Sequence, residues 1–214
     1  MRMKYAAAAI ALLLASAFAS SPSAAQGGLE LTPQFGYQWG GTQNYSAYYA
    51  YPYGGSIHLN ANVTYGGTLS KELRPGYHGE ISYHYQSTDL INRPSNGKDA
   101  TLGTVSTQYI MLQGRSSVPK AGKTTPFLLG GVGTVGYSGF GTSYWYFAFD
   151  AGVGADIQVN EKVGIRLQTR ALIPIQWFTT GVYISSGGSG VTTGGSTTLI
   201  QGDASIGITF KLGS

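Results

Sequence analysis

One feature limits this chain more than any other. Apolar and polar residues alternate with a period of two over segment after segment. In residues 29–39, Leu29, Leu31, Pro33, Phe35, Tyr37 and Trp39 share one face, while Glu30, Thr32, Gln34, Gly36 and Gln38 share the other. That period belongs to a strand with one apolar face and does not fit a helix. The same pattern predicts strands over 57–70, 78–86, 103–115, 125–137, 145–159, 162–174 and 199–211. The fourth is less regular, with Val105, Tyr109 and Met111 set against Ser106 and Gln108. The facing of the fifth, glycine-rich strand stays open.

Composition decides what such strands can build. Only 10% of residues are charged, while the chain carries 33 Gly and 16 Tyr. A soluble domain has about 25% charged residues. After residue 25 there is no apolar run of the roughly 20 residues that a membrane helix needs. A chain that shuns bulk water without such a helix must close its backbone hydrogen bonds in a barrel. The fold class expected is therefore all-β, an eight-stranded antiparallel up-and-down transmembrane barrel. Its connections alternate between long (40–56, 87–102, 178–198) and shorter (71–76, 116–124, 160–161), except for a moderate fifth at 138–144. This suits long outer loops, short periplasmic turns and periplasmic termini.

Residues 1–25 read as a cleavable signal helix. Arg2 and Lys4 precede an apolar run from Ala6 to Ala19, and small residues end at Ala25. Residues 26–214 are then the barrel domain. Without Arg2 and Lys4, 11 Lys and Arg face 9 Asp and Glu, a net charge of about +2. No basic cluster suggests nucleic acid. With no cysteine there is no disulfide or thiolate metal site, and no cofactor or metal is expected.

A soluble ligand-binding barrel would turn the apolar face inward and need a charged exterior. Here the polar face is mostly Gly, Ser, Thr, Asn and Gln, which suits a lumen. The apolar face is therefore expected to meet lipid. Tyr37, Trp39, Trp145, Phe147, Trp177, Phe178 and Phe210 are expected to form its aromatic girdle. Eight strands leave an interior that side chains fill. Glu80, Asp150, Asp156, Arg166, Arg170 and Lys211 point into it and are expected to pair, because lone charges there are costly. Tyr45, Tyr48, Tyr49, Tyr51 and Tyr53 crowd the first outer loop and are candidates for extracellular contact.

Chemistry is sparse. His78, Glu80, Ser82 and His84 share an inward face, so Ser82 cannot meet a lipid substrate as a nucleophile must. Ser87, close to His84 in sequence, is the remaining candidate at the rim. The glycine-rich stretches do not lead into helices and are not phosphate loops.

Several segments resemble a known family in order and spacing. They are Leu31–Pro33 with Gly36–Gly41, Tyr65–Leu69, Glu80–Tyr83 with Gln86–Thr88, Tyr109–Gly114, Thr125–Phe127 with Gly130–Gly133, and Gly164–Leu167. The chain is similar to outer membrane β-barrel proteins of the OmpA-like or porin-family superfamily. The resemblance implies an eight-stranded outer-membrane barrel among lipid and lipopolysaccharide, delivered by the barrel-assembly machinery, and it supplies no reaction. Barrels of this kind usually end in an aromatic residue, whereas here Lys211–Ser214 follow Phe210. A monomer without enzymatic activity is expected, acting as a structural or surface-interaction protein with a plugged lumen. The alternatives are a narrow channel and, behind it, a lipid-modifying enzyme.

Overall fold

A computed structural model describes residues 28–45, 55–118, 122–175, 180–185, 188–193 and 200–212. The expected signal segment, Tyr48, Tyr49, Tyr51, Tyr53, Trp177 and Phe178 lie outside the described residues. The described residues form strands and turns and contain no helix. In order the strands are β1 (Leu29–Gly40), β2 (Thr42–Tyr45), β3 (Gly55–Leu59), β4 (Asn62–Arg74), β5 (Tyr77–Pro94), β6 (Ala100–Ser117), β7 (Thr124–Gly139), β8 (Thr142–Gln158), β9 (Val163–Ile175), β10 (Thr180–Ser185), β11 (Gly188–Thr193) and β12 (Gln201–Leu212).

Eight of these close a ring, every neighbour antiparallel: β1, β4, β5, β6, β7, β8, β9, β12 and back to β1. The closing register runs from Leu29↔Leu212 to Gly40↔Gln201. It is interrupted at Thr32 and Pro33. Proline has no N–H to give the ladder, and inside the barrel a hydrogen bond between the Thr32 and Thr209 hydroxyls (3.0 Å) spans the gap. Two glycines show how tightly strands coil past one another. A Cβ on Gly66 would lie 1.9 Å from the Tyr83 carbonyl oxygen, and one on Gly133 would lie 2.1 Å from that of Ile110.

Alternation sorts the two faces. Phe35 is 57% exposed and Leu128 57%, on the outer wall, while inward Thr32 and Gln38 are 0% and 1% exposed. In water, such an inverted surface would cost about 25 cal/mol for each Å² of apolar area left exposed. In lipid it costs nothing comparable.

Leu29 at the start of β1, Leu212 at the end of β12 and the turns 75–76 and 159–162 lie at one end, here the terminal end, with the end of β6 and the start of β7. The turns 95–99 and 140–141, with β2 and β3, lie at the other, the loop end, as do the end of β9 and the start of β12. There β5 and β6, 18 residues each, outrun the ring. β3 pairs with the outer part of β5, and β2 pairs with β3. β10 and β11 form a separate hairpin.

Three expectations need correction. The run 57–70 is not one strand: it breaks at Asn60–Ala61, and Leu59 is buried at the loop end instead of facing lipid with Val63 and Tyr65. Its partner there is the overhanging β5, which imposes a different course. On β6, Val105, Tyr109 and Met111 face inward and Ile110 and Leu112 face outward. The fifth connection is a two-residue turn, Phe140–Gly141. The open facing of the fifth strand also resolves: on β7, Phe127, Leu129 and Val135 point inward and Leu128 and Val132 outward.

The lumen as candidate functional site

Inward side chains fill the barrel in three layers. The lowest, toward the terminal end, is an ion cluster assembled from β1, β5, β6, β8 and β9. Arg115 Nε lies 2.6 Å from Glu80 Oε1, and its Nη2 lies 3.2 Å from Glu30 Oε2. Its Nη1 also donates to Asp156. Arg166 Nε meets Asp156 Oδ1 at 2.8 Å and its Nη1 meets Glu80 Oε1 at 3.0 Å. The Ser70 hydroxyl donates to Glu80 Oε1 at 2.9 Å. The Phe127 ring centroid lies 5.3 Å from the Arg115 guanidinium carbon and 5.4 Å from that of Arg166. Arginine suits this place because its fork of donors can reach several carboxylates at once.

The middle layer holds a second cluster. Arg170 Nη2 lies 2.8 Å from Asp203 Oδ1, and its Nη1 lies 3.8 Å from Asp150 Oδ2. Gln113 donates to Asp150, and the Thr64 hydroxyl donates to Asp203 at 3.4 Å. Around them, Gln86 Nε2 donates to the carbonyls of Gln38 (3.0 Å) and Asn62 (3.1 Å). The compensation is incomplete. Asp150 Oδ1, Arg170 Nη1, Ser82 Oγ and both ring nitrogens of His84 are buried with no hydrogen-bond partner among the described residues.

The top layer is apolar. Tyr109, Met111, Val135, Ala148 and Leu172 are at most 1% exposed and pack together, with Tyr137 and Tyr146 against them. The Tyr109 hydroxyl donates to Gln201, which ties this layer to β12.

Of the predicted lumen charges, Glu80, Asp156 and Arg166 meet in the lower cluster, and Asp150 and Arg170 in the middle one. Lys211 joins neither. It is exposed at the terminal rim and makes no ion pair among the described residues, because the last inward position of β12 already stands at the mouth. Glu30, Arg115 and Asp203 were not singled out from sequence, yet each holds a cluster together. Arg115 was traceable: Thr107, Gln113 and Arg115 share the parity of Tyr109 and Met111, so the polar residues on that face mark it as inward.

Tyr37, Trp39, Trp145, Phe147 and Phe210 all stand exposed on the outer wall. Phe147 and Phe149 meet edge to face at 4.9 Å. Tyr45 ends β2, and its neighbours in the tyrosine-rich loop lie outside the described residues. Ser87 is exposed on the outside while His84 is buried inside, so the two do not approach. Among the described residues, no group of three or more His, Asp or Glu side chains is arranged to hold a metal ion.

The two mouths differ. A cavity of about 520 Å³ at the terminal end is lined by Glu30, Glu72, His78, Arg115, Asp156 and Lys211 among others. A cavity of about 280 Å³ at the loop end is lined mainly by apolar groups, including Ile57, Leu59, Leu90, Val105, Phe140 and Tyr144.

Comparison with known proteins accords with this architecture. The family described as "Outer membrane protein beta-barrel domain" matches residues 6–175. The crystal structure of the outer membrane protein OprG from Pseudomonas aeruginosa superposes with a TM-score of 0.63 at 11% identity, covering 89% of this chain and 98% of that one. That of Neisserial surface protein A gives 0.52 at 9% identity, covering 89% of this chain and 100% of that one. At such identities the likeness is one of fold. A search of curated protein sequences found no match.

Proposed function

The chain belongs to the outer membrane protein β-barrel family, and from that premise we propose that it is a closed, non-enzymatic barrel that acts as a structural and surface-interaction protein. The observation that carries this reading is the filled lumen: two ion clusters below a layer of five apolar side chains that are at most 1% exposed. Small eight-stranded barrels have room for side chains and little else. With transport closed off, what the chain offers its surroundings is its outer wall and its loop end. The absence of catalysis is supported by the placement of Ser82 and His84, 0% and 1% exposed inside the lumen, where no substrate has a path to them. We read the molecule as a monomer amid lipid and lipopolysaccharide, seated by the barrel-assembly machinery. Its termini are periplasmic and its first 25 residues are removed on export. N-terminal sequencing of the mature protein should begin at Gln26, and a first residue upstream of that would refute the cleavage.

The second reading is a narrow channel. It draws on the charge balance of the lumen, where Glu30, Glu80, Asp150, Asp156 and Asp203 outnumber Arg115, Arg166 and Arg170 among the described residues. A surplus of carboxylates would favour cations. Planar-bilayer recording of the refolded protein separates the two readings. The closed barrel predicts no unitary conductance above background, and steady cation-selective steps would replace it with the channel.

A further inference from the structure

The barrel carries its uncompensated charge at one end. Residues 41–61, between β1 and β4, and residues 176–200, between β9 and β12, contain no Asp, Glu, Lys or Arg. The loop end is left with Asp89, Arg93, Lys98 and Asp99, which balance in number, and Arg93 Nε lies 2.7 Å from Asp99 Oδ2. The terminal end differs. Lys71, Arg74, Lys123, Lys162 and Lys211 stand there against Glu72 and Glu161. Glu30 and Asp156 also reach that mouth, but Arg115 and Arg166 already hold them. None of the five cations makes an ion pair among the described residues.

These five are distant in sequence and follow one another around the rim. The Gln158 N–H donates to the Lys123 carbonyl at 2.9 Å, which sets Lys123 beside the turn between β8 and β9. The Lys211 N–H donates to the Lys162 carbonyl at 2.9 Å, which joins that turn to the end of β12. Leu29 on β1 pairs with Leu212 on one side and with Lys71 of β4 on the other. Arg74 ends β4, and its guanidinium carbon lies 3.9 Å from the centroid of the Tyr77 ring. The arc of cations thus runs from β7 through β8, β9, β12 and β1 to β4. Glu72 stands aside from it: the side chain lines the lumen mouth, and its Oε1 accepts the Gly76 N–H at 3.2 Å. The level of the arc is the edge of the apolar wall, where Leu29, Leu73, Tyr77 and Leu212 are all exposed. Lys71 shares the outward face of β4 with Val63, Tyr65 and Leu69. A lysine so placed lays its stem on apolar surface and keeps its ammonium among the headgroups. A cation stacked on an aromatic ring, as Arg74 is on Tyr77, suits the same layer.

We propose that this arc binds the headgroups of anionic phospholipids in the leaflet at the terminal end, and that Lys71, Lys123, Lys162 and Lys211 are the residues that select them. Charge supplies the selection, because a cation at the membrane surface attracts an anionic headgroup and gains nothing from a zwitterionic one. The apolar wall beside the arc takes the acyl chains of either lipid alike. The balanced loop end offers no such preference, so the barrel distinguishes the two leaflets. The inference rests on the reading of the chain as a closed barrel seated in lipid. Conductance tests that reading and lipid selection tests this one, so each can fail alone.

The experiment uses the refolded full chain in phosphatidylcholine vesicles with a trace of spin-labelled lipid, either phosphatidylglycerol or phosphatidylcholine. The fraction of label slowed by contact with the protein gives the relative association of the two lipids. At low salt, phosphatidylglycerol should associate about fivefold more strongly, as one cation at the membrane surface implies. The preference should fall below about twofold at 1 M salt, where the Debye length is about 3 Å. The combined variant Lys71→Gln, Lys123→Gln, Lys162→Gln and Lys211→Gln should lose the preference while keeping the heat-modifiable gel shift of a folded barrel. Should it fail to fold, Lys162→Gln with Lys211→Gln should reduce the preference by about half or more, these being two of the five cations. Arg93→Gln with Lys98→Gln, at the loop end, should leave it unchanged. The proposal is overturned by any of four results: equal association of both lipids with the native chain, a preference that survives 1 M salt, one that survives removal of the terminal-end lysines, or one that disappears in the loop-end variant.

Discussion

The same eight strands fill the two ends of one lumen by opposite means. Near the terminal end, Arg115 and Arg166 thread among three carboxylates. Near the loop end, Met111, Val135, Ala148 and Leu172 pack as in any apolar core. The lower solution is rigid in its demands. Each ion loses water on entering the lumen, and only close partners offset that loss. The upper one depends on shape and volume alone. The difference teaches that the inside of a small membrane barrel is not polar by necessity. It is filled by whatever satisfies its own groups, and it is the outer wall that is kept predominantly apolar.

Breaking the lower layer should have the largest effect. Arg166→Ala leaves Glu80, 1% exposed, short of a cation where water is scarce. A destabilisation of about 4 kcal/mol is expected, read from the urea midpoint of the refolded barrel. A loss below about 1 kcal/mol would mean that the carboxylates reach water. Leu172→Ala, in the upper layer, should cost about 3 kcal/mol through the cavity it opens. That value should be insensitive to salt and to pH between 5 and 8, unlike the cost of Arg166→Ala if water enters the cluster.

How much of this contrast could be read in the sequence depends on the strand. β8, β9 and β12 announce their faces, since Asp150, Arg166, Arg170 and Asp203 sit opposite apolar rows that only Thr169 on β9 interrupts. β6 misleads, because the apolar layer of the lumen puts Tyr109 and Met111 inward and leaves Ile110 and Leu112 outward. Where both faces are apolar, alternation carries no sign, and the remaining clue is the parity of Gln113 and Arg115. The break at Asn60–Ala61 leaves no local mark, because it arises from β3 pairing with the overhang of β5, a contact distant in sequence. Lys211 has the inward parity, but the position of the rim decides its exposure, and the rim is set by strand tilt.

Two smaller effects sharpen the comparison. Phe140→Gly should stabilise the barrel by about 1 kcal/mol, since glycine adopts the left-handed conformation that phenylalanine adopts under strain. Asp150→Asn should change stability by less than about 1 kcal/mol in either direction. Its carboxylate has one oxygen without a partner, and its arginine lies 3.8 Å away, in a lumen already rich in acids. A loss as large as that of Arg166→Ala would place Asp150 among the essential pairs. Arg93→Ala, which removes an exposed pair with Asp99, should shift the midpoint least, by under about 0.5 kcal/mol.

The central claim is that the lumen is filled between its two mouths, and the chain's lack of cysteine makes it directly testable. Single cysteines at Ala148 and Leu172, both 0% exposed, can be compared with one at the exposed rim residue Thr142. A charged, water-soluble thiol reagent is supplied from both sides of the bilayer. The filled lumen predicts rapid modification at 142 and none at 148 or 172 until the barrel is unfolded. Modification of either buried position at the rate of the rim would show a hydrated path through the barrel and contradict the account.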